Sequence, residues 1–100
     1  ERPVLIHEGR TSGRTYETPL DAHAVDGGYI FIVNYGARSD WVKNILAAGR
    51  ATLRLGAQEI ELSMPRLLTE DEALSQMPPT AKPMPGFLNI NEYLHMHAAA

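Results

Sequence analysis

Two arginines and two hydroxyl side chains lie within one short, glycine-bounded turn, and this set of residues is well suited to holding an anion. The turn consists of Gly9, Arg10, Thr11, Ser12, Gly13 and Arg14. Glycine permits a backbone with positive φ, which exposes consecutive N–H groups. The guanidinium groups are planar forks of donors, and the hydroxyls add further donors. This chemistry predicts a phosphate site, although an ordinary hairpin turn has a similar composition and the motif is weak by itself.

A second group of polar residues follows a hydrophobic stretch and includes aromatic rings. Asn34, Tyr35 and Gly36 come directly after that stretch, and Trp41 and Asn44 lie at the start of a predicted helix. Because the chain passes here from a strand into a helix, it can place a further set of donors beside an aromatic ring. A phosphate clamp combined with an aromatic, donor-rich ledge predicts a nucleotide-like cofactor.

The composition predicts one soluble globular domain over residues 1–100. Its residues are 44% hydrophobic and 21% charged, which argues against disorder. The formal net charge of −3 leaves no overall basic field for nucleic acid, so the arginines form a local patch suited to a small anionic ligand. The absence of cysteine excludes disulfides, thiol catalysis and cysteine-ligated metals. His95 and His97 have no third ligand nearby in the sequence, so we expect no metal site.

The sequence carries no membrane or targeting signal. No apolar run approaches the ~20 residues of a membrane span, and no signal peptide precedes the first strand. We therefore expect a cytoplasmic protein without an integral membrane segment. The chain begins at Glu1 without a methionine, from which we expect that a native N-terminal segment has been removed.

Alternation of apolar and polar residues predicts that most of the chain forms strands. The predicted strands are Val4–His7, Tyr16–Val25, Tyr29–Val33, Ala51–Leu55, Ile60–Met64 and Asn91–His97. The last segment is also compatible with a helix, but its alternation favours a strand that closes the sheet. Pro19 cannot donate to a ladder, so the second strand needs a bulge or an edge position. The third strand is apolar on both faces, which predicts a central strand covered on both sides.

Two short helices are predicted between these strands. The first is capped by Ser39 or Asp40 and ends at Gly49, which supplies the left-handed exit. The second begins at a capping box, Thr69–Glu72, and continues to about Met77. About six mostly antiparallel strands, with a helix inserted after the third, predict a mainly β fold with short helices, as in a small closed or split β-barrel.

The order and spacing of these signals resemble the deazaflavin-dependent nitroreductase-like oxidoreductases. The similarity extends from Val4 to Leu68, about two-thirds of the chain. It is carried by Gly9–Arg14, Thr18–Leu20, Asp26–Gly28, Gly36, Asp40–Trp41, Asn44, Ala47–Gly49 and Ala51–Leu53. The resemblance implies the split β-barrel fold that this family shares with flavin-binding, pyridoxamine-oxidase-like proteins.

The same resemblance implies a cofactor and the residues that hold it. The cofactor would be F420, a phosphate-bearing deazaflavin with a glutamate tail, and flavin mononucleotide (FMN) is the alternative. The residues implied to hold the phosphate and the acidic tail are Arg10, Thr11, Ser12, Gly13 and Arg14. Those implied to contact the ring are Asn34, Tyr35 and Gly36 through their backbone, with Trp41 and Asn44 from the helix. By periodicity alone, Trp41 is better explained as a core residue that anchors the helix, and the two roles are compatible.

The reaction implied is hydride transfer from the reduced cofactor to a small organic acceptor such as a quinone or a nitroaromatic compound. Candidates on the substrate side are Tyr35, His23, Tyr93 and His95, none of which has a spacing that requires a catalytic role. The alternative function is a non-catalytic split-barrel protein that binds F420, FMN or a hydrophobic ligand. Barrels of this kind often pair, so a homodimer and a monomer both stay open.

Overall fold

The computed structural model describes residues 2–33, 39–77 and 92–98. They form seven strands and two helices. In chain order these are β1 (Val4–Glu8), β2 (Thr15–Pro19), β3 (Ala22–Val25), β4 (Gly28–Ile32), α1 (Asp40–Ala48), β5 (Arg50–Leu55), β6 (Gln58–Thr69), α2 (Glu70–Gln76) and β7 (Glu92–Ala98).

The described strands form one antiparallel sheet in the order β2-β1-β5-β6-β7-β4-β3. Strands β2 and β3 are its opposite edges, yet only Leu20 and Asp21 separate them in the chain. Flat, such a sheet would be about 29 Å wide, whereas three Cα steps reach at most about 11 Å. The sheet must therefore curl until its edges approach each other. The result is a half-barrel, which confirms the predicted split β-barrel.

The strand count and the position of the inserted helix differ from the prediction. The predicted strand Tyr16–Val25 is two strands, so there are seven described strands and α1 follows the fourth. Pro19 ends β2 because it has no N–H for the ladder, and the next N–H, of Leu20, donates to the carbonyl oxygen of Pro3 at 3.1 Å. The chain then crosses to the other edge of the sheet. Pro19 does lie on an edge strand, as predicted.

Strand β6 is longer than predicted because a bulge bends it rather than ending it. Met64 has a positive φ of 51°, and the register with β7 shifts between Ser63 and Arg66. Pro65, inside this bulge, has no N–H to leave unpaired. The two halves of β6 can therefore pair with different strands, the first with β5 and the second mainly with β7.

The core lies on both faces of the sheet, and β4 contributes to each. Phe31 belongs to the cluster inside the curl, against which α1 packs. Ile30 points the other way, into a cluster with Ala73 of α2 and Met77 just after it. Both side chains are completely buried, which confirms the prediction of a strand covered on both sides.

The predicted helix ends are largely confirmed. Gly49 closes α1 in the left-handed conformation with φ 76°, and Thr69 and Glu72 form the predicted capping box of α2. Ser39 is the N-cap residue of α1, one of the two positions predicted, but its side chain makes no capping hydrogen bond. The first-turn N–H groups of α1 therefore donate no hydrogen bond to that side chain.

Candidate functional site

A cleft of about 490 Å³ lies between the β1–β2 turn and the N-terminal half of α1. This volume is within the usual range for small-molecule sites. Its lining consists of His7, Gly9, Arg10, Thr11, Ser12, Tyr16, Glu17, Thr18, Asp40, Trp41 and Asn44. The cleft therefore combines one guanidinium, several hydroxyls and two large aromatic rings with two carboxylates near its border.

The turn that forms one wall of the cleft is held tightly by its own backbone. The N–H of Gly9 donates to the carbonyl oxygen of Arg14 at 2.8 Å, and the N–H of Gly13 donates to that of Gly9 at 2.9 Å. A Cβ at Gly9 would lie 2.7 Å from the Oγ of Ser12 and 2.8 Å from the ring of Tyr16. Any other residue at position 9 would displace Ser12 or Tyr16, both of which line the cleft.

Arg10 joins this turn to helix α1. Its backbone N–H and its Nη1 both donate to Oδ1 of Asn44, at 3.1 and 2.8 Å. Its Nη2 lies 3.4 Å from the carboxylate of Asp40, a pair in which the Asp40 side chain is 86% exposed. The Asn44 bonds are the firmer anchor because an exposed ion pair contributes little. Arg10 is thus oriented by Asn44, with part of its guanidinium still exposed in the cleft.

Asn44 also contacts His7, and the chemistry of the three groups fixes the orientation of each. Arginine can only donate, so the atom of Asn44 that faces Arg10 must be its oxygen. The amide nitrogen then faces Nδ1 of His7 at 3.4 Å and donates to it. With Nδ1 an acceptor, the imidazole proton is on Nε2, which donates to Oγ1 of Thr18 at 2.9 Å. His7 is therefore the neutral Nε2–H tautomer.

Burial favours this neutral state of His7. The residue is 5% exposed, and desolvation lowers the pKa of its imidazole below the usual 6.5. Its ring stacks on that of Tyr16 with a centroid separation of 6.0 Å, and Tyr16 itself is 44% exposed. A buried histidine and a partly exposed phenol thus form an aromatic border of the cleft.

The structure brings half of the predicted cofactor-binding residues to this one cleft. Those that line it are Arg10, Thr11, Ser12, Trp41 and Asn44. Gly13 and Arg14 belong to the same turn but do not line the cleft. Asn34, Tyr35 and Gly36 lie outside the described residues. Trp41 combines the two roles weighed for it, since it packs against the interior cluster and also lines the cleft.

The other substrate-side candidates lie elsewhere. Tyr93 is fully buried in the cluster under α2, and burial raises the pKa of its phenol. His23 and His95 are the two cross-strand partners of Ile30, on either side of β4. Both histidines therefore lie on the sheet face that α2 partly covers. None of the three candidates lines the cleft. Their catalytic role stays a prediction without support from this placement.

His7 is a member of the site that the sequence interpretation missed. It was read only as the end of the first strand, yet alternation along β1 puts it on the same face as the fully buried Leu5. A histidine at a core-facing strand position must find hydrogen-bond partners, and this signal was available. Tyr16 and Thr18 pair with His7 and Leu5 across the ladder and reach the cleft for the same reason.

The described parts of the chain contain neither a candidate metal site nor a candidate membrane-spanning helix. Within residues 2–33, 39–77 and 92–98, no three His, Asp or Glu side chains are grouped to hold a metal ion. Neither helix among them is long and apolar enough to cross a membrane.

The curled antiparallel sheet defines a split β-barrel protein, and a polar cleft lies at its edge. The chain belongs to the F420H(2)-dependent quinone reductase family, whose model matches residues 2–86. This family assignment confirms the predicted F420H2-dependent reduction of quinones, with F420 as cofactor, and gives no support to FMN.

A solved structure supports the fold. A conserved hypothetical protein, Rv2991 from Mycobacterium tuberculosis, aligns over 100% of this chain and 74% of its own length, with a TM-score of 0.69. At 17% sequence identity this likeness shows the fold alone. No match was found among curated proteins.

Proposed function

We propose that the cleft beside Arg10 is the site where this chain holds F420H2 and brings a quinone to it. The observation that carries the proposal is the convergence of Arg10, Thr11 and Ser12 from the turn with Trp41 from α1 on one cleft. Trp41 is 29 or more positions from these three turn residues in the sequence, so only the fold brings the anion donors beside the indole ring.

The donor set fits the chemistry of the cofactor. F420 carries a phosphate and an acidic tail, and the cleft offers a guanidinium and hydroxyls as donors. The cleft also includes the first turn of α1, whose N–H groups make no hydrogen bond to the N-cap side chain. Among the described residues, the carboxylate that pairs with this guanidinium is that of Asp40, which is largely exposed. An anionic ligand can therefore replace it on Arg10 at small cost.

When bound, F420H2 supplies a hydride, and the protein supplies binding and orientation. Arg10 with the Thr11 and Ser12 hydroxyls would hold the phosphate, and Trp41 would border the ring. Asn34, Tyr35 and Gly36 are proposed for ring contact on the family resemblance. Nitroaromatic acceptors, a nitroreductase-like classification and a homodimer are finer parts of the same proposal.

The test is anaerobic oxidation of F420H2 by a soluble quinone, measured for the wild type, Arg10→Ala and Arg14→Ala. Both variants lose one positive charge from the same turn, but only Arg10 lines the cleft. Loss of a charge-assisted hydrogen bond of about 1.5–3 kcal/mol corresponds to a roughly 10- to 100-fold weaker apparent affinity for Arg10→Ala. Arg14→Ala should change it less than about threefold.

Two controls keep this test decisive. Arg10→Lys keeps the charge but not the planar fork, and should lie between the wild type and Arg10→Ala. Thermal melts establish that each variant is folded before its kinetics are compared. Equal losses in Arg10→Ala and Arg14→Ala would refute a clamp centred on Arg10 and favour the predicted clamp that includes Arg14. Tight F420H2 binding without oxidation by any quinone would favour the non-catalytic alternative.

A further inference from the structure

We propose that His7 is a positioning residue that assembles the anion clamp only while its imidazole is neutral. The inference rests on the proposed function, since it concerns the same cleft. It stands on a continuous path of hydrogen bonds from Thr18 through His7 and Asn44 to the guanidinium of Arg10. His7 itself is buried and need not touch the ligand, because it acts through Asn44.

The direction of each hydrogen bond makes this path sensitive to one proton. The Asn44 amide donates to Nδ1 of His7 at 3.4 Å and accepts from the Nη1 of Arg10 at 2.8 Å. An imidazolium donates from both nitrogens and has no acceptor to offer. A protonated His7 would therefore face the amide nitrogen donor to donor. The amide would have to turn its oxygen toward His7 and so present its nitrogen to Arg10. This removes both bonds that Asn44 accepts from Arg10, one from the backbone N–H and one from the guanidinium.

The charged groups around His7 do not stabilise its protonated form by direct contact. Besides the cleft, His7 lines a second cavity of about 240 Å³ that Glu8, Arg50 and Glu61 border. The titratable groups bordering these two cavities, together with the stacking partner of His7, are Glu8, Arg10, Tyr16, Glu17, Asp40, Arg50 and Glu61. The acidic groups have other partners: Glu8 pairs with Arg50, Glu17 with Arg54, Asp40 with Arg10, and Glu61 accepts from Thr52. The described contacts of the His7 ring nitrogens are to Thr18 and Asn44 alone.

The pH range of the effect follows from burial. Desolvation lowers the pKa of His7 below 6.5, so the clamp should be complete at pH 7.5 and lost as the pH falls through that lowered value. The other histidines among the described residues, His23, His95 and His97, do not line the cleft. Free carboxyl groups titrate near pH 4, well below the range of an ordinary imidazole.

Two substitutions separate the two ends of the imidazole. His7→Asn places an amide oxygen near the position of Nδ1, so it keeps an acceptor for Asn44 and cannot titrate. His7→Gln keeps an N–H that can reach Thr18 but has no acceptor near Asn44. His97→Asn removes a histidine from β7, away from the cleft, and is the matched control.

The first measurement is an NMR pH titration of the protein without ligand, which decides the proposal whatever the ligand does. In the wild type, the Asn44 side-chain N–H and the Arg10 backbone N–H should shift together with the His7 imidazole. The His7 nitrogens should report the Nε2–H tautomer at pH 7.5. In His7→Asn the shifts at Asn44 and Arg10 should disappear. A wild-type His7 protonated on Nδ1, or Arg10 signals that ignore its titration, would overturn the inference.

The second measurement is the affinity for F420 at pH 7.5 and pH 5.5. The wild type and His97→Asn should weaken more than His7→Asn over this range, by at most about 10-fold, because a His7 with a pKa below 6.5 is only partly protonated at pH 5.5. Comparison with His7→Asn cancels the effect of ionisation of the ligand itself. His7→Gln should be weak at both pH values. Identical pH profiles for the wild type and His7→Asn would overturn the positioning role. Failure of F420 to bind any variant at pH 7.5 would refute the proposed function, while the ligand-free titration would still decide the inference about His7.

Discussion

Replacing Asn44 with alanine should lower the free energy of unfolding by about 2 kcal/mol, because one buried amide holds the turn to α1. The backbone bond from Arg10 contributes about 1 kcal/mol. The bond from its guanidinium contributes about the same after a discount for the 35% exposure of that side chain. The long bond to His7 adds about 0.5 kcal/mol, and the better helix propensity of alanine offsets a similar amount.

The assay is urea denaturation of the variant beside Lys43→Ala. Lys43 is the exposed neighbour of Asn44 on α1, so this control introduces the same residue one position away without touching the turn. For a domain of this size, 2 kcal/mol corresponds to a fall in Tm of about 8–16 °C. Lys43→Ala should stay within about 0.5 kcal/mol of the wild type. A loss below about 0.5 kcal/mol for Asn44→Ala would refute the assignment of the amide as the anchor of Arg10.

Two further predictions concern α2 and the cluster beneath it, and urea denaturation checks both. Thr69→Ala removes the side-chain acceptor for the N–H of Glu72 and should cost about 1 kcal/mol. Because the Thr69 backbone N–H lowers the pKa of Glu72 below its usual 4.5, the capping box should stabilise fully above that pH and lose its contribution as the pH falls through the lowered value. An acid profile unchanged in Glu72→Gln, which keeps Thr69 but has no ionisable carboxyl, would contradict this. Tyr93→Phe removes a buried hydroxyl that has no partner among the described residues, so stability should be unchanged or rise by up to about 1 kcal/mol. A clear loss would show that the hydroxyl is bonded.

Those elements whose signals are local could be predicted from the sequence. The capping box at Thr69, the left-handed exit at Gly49 and the apolar run of β4 each depend on residues within one turn or strand. Alternation also identified the last strand, β7. These signals act through backbone geometry and burial of a single element, which do not require knowledge of its neighbours.

Features set by pairing with distant segments could not be predicted in the same way. Alternation continues through Pro19, so nothing in the local pattern shows that the chain leaves one edge of the sheet and joins the other. The bulge at Met64 has the same origin, since it matches β6 to two different neighbours. Pro65 could have indicated this bulge, because a proline within a strand requires a bulge or an edge position, the same argument that was applied to Pro19.

The candidate site shows the same division. The hydroxyls and glycines of the β1–β2 turn pointed to an anion, and the turn does line the cleft. The partners of Arg10 and His7 on α1 lie 34 and 37 residues away, so their hydrogen bonds depend on how the helix docks against β1. His7 was predictable as a buried polar residue, but its role in orienting Asn44 was not.

The central claim is tested most directly by mapping where F420 binds, using backbone amide shifts in a ligand titration. The account predicts saturable changes at Gly9–Ser12, Tyr16–Thr18 and Asp40–Asn44, with none at the separate cavity bordered by Ala24–Asp26 and Ser75–Met77. Shift changes confined to the cavity beside Ala24–Asp26, or spread without saturation over the surface, would contradict the assignment of the cleft as the cofactor site.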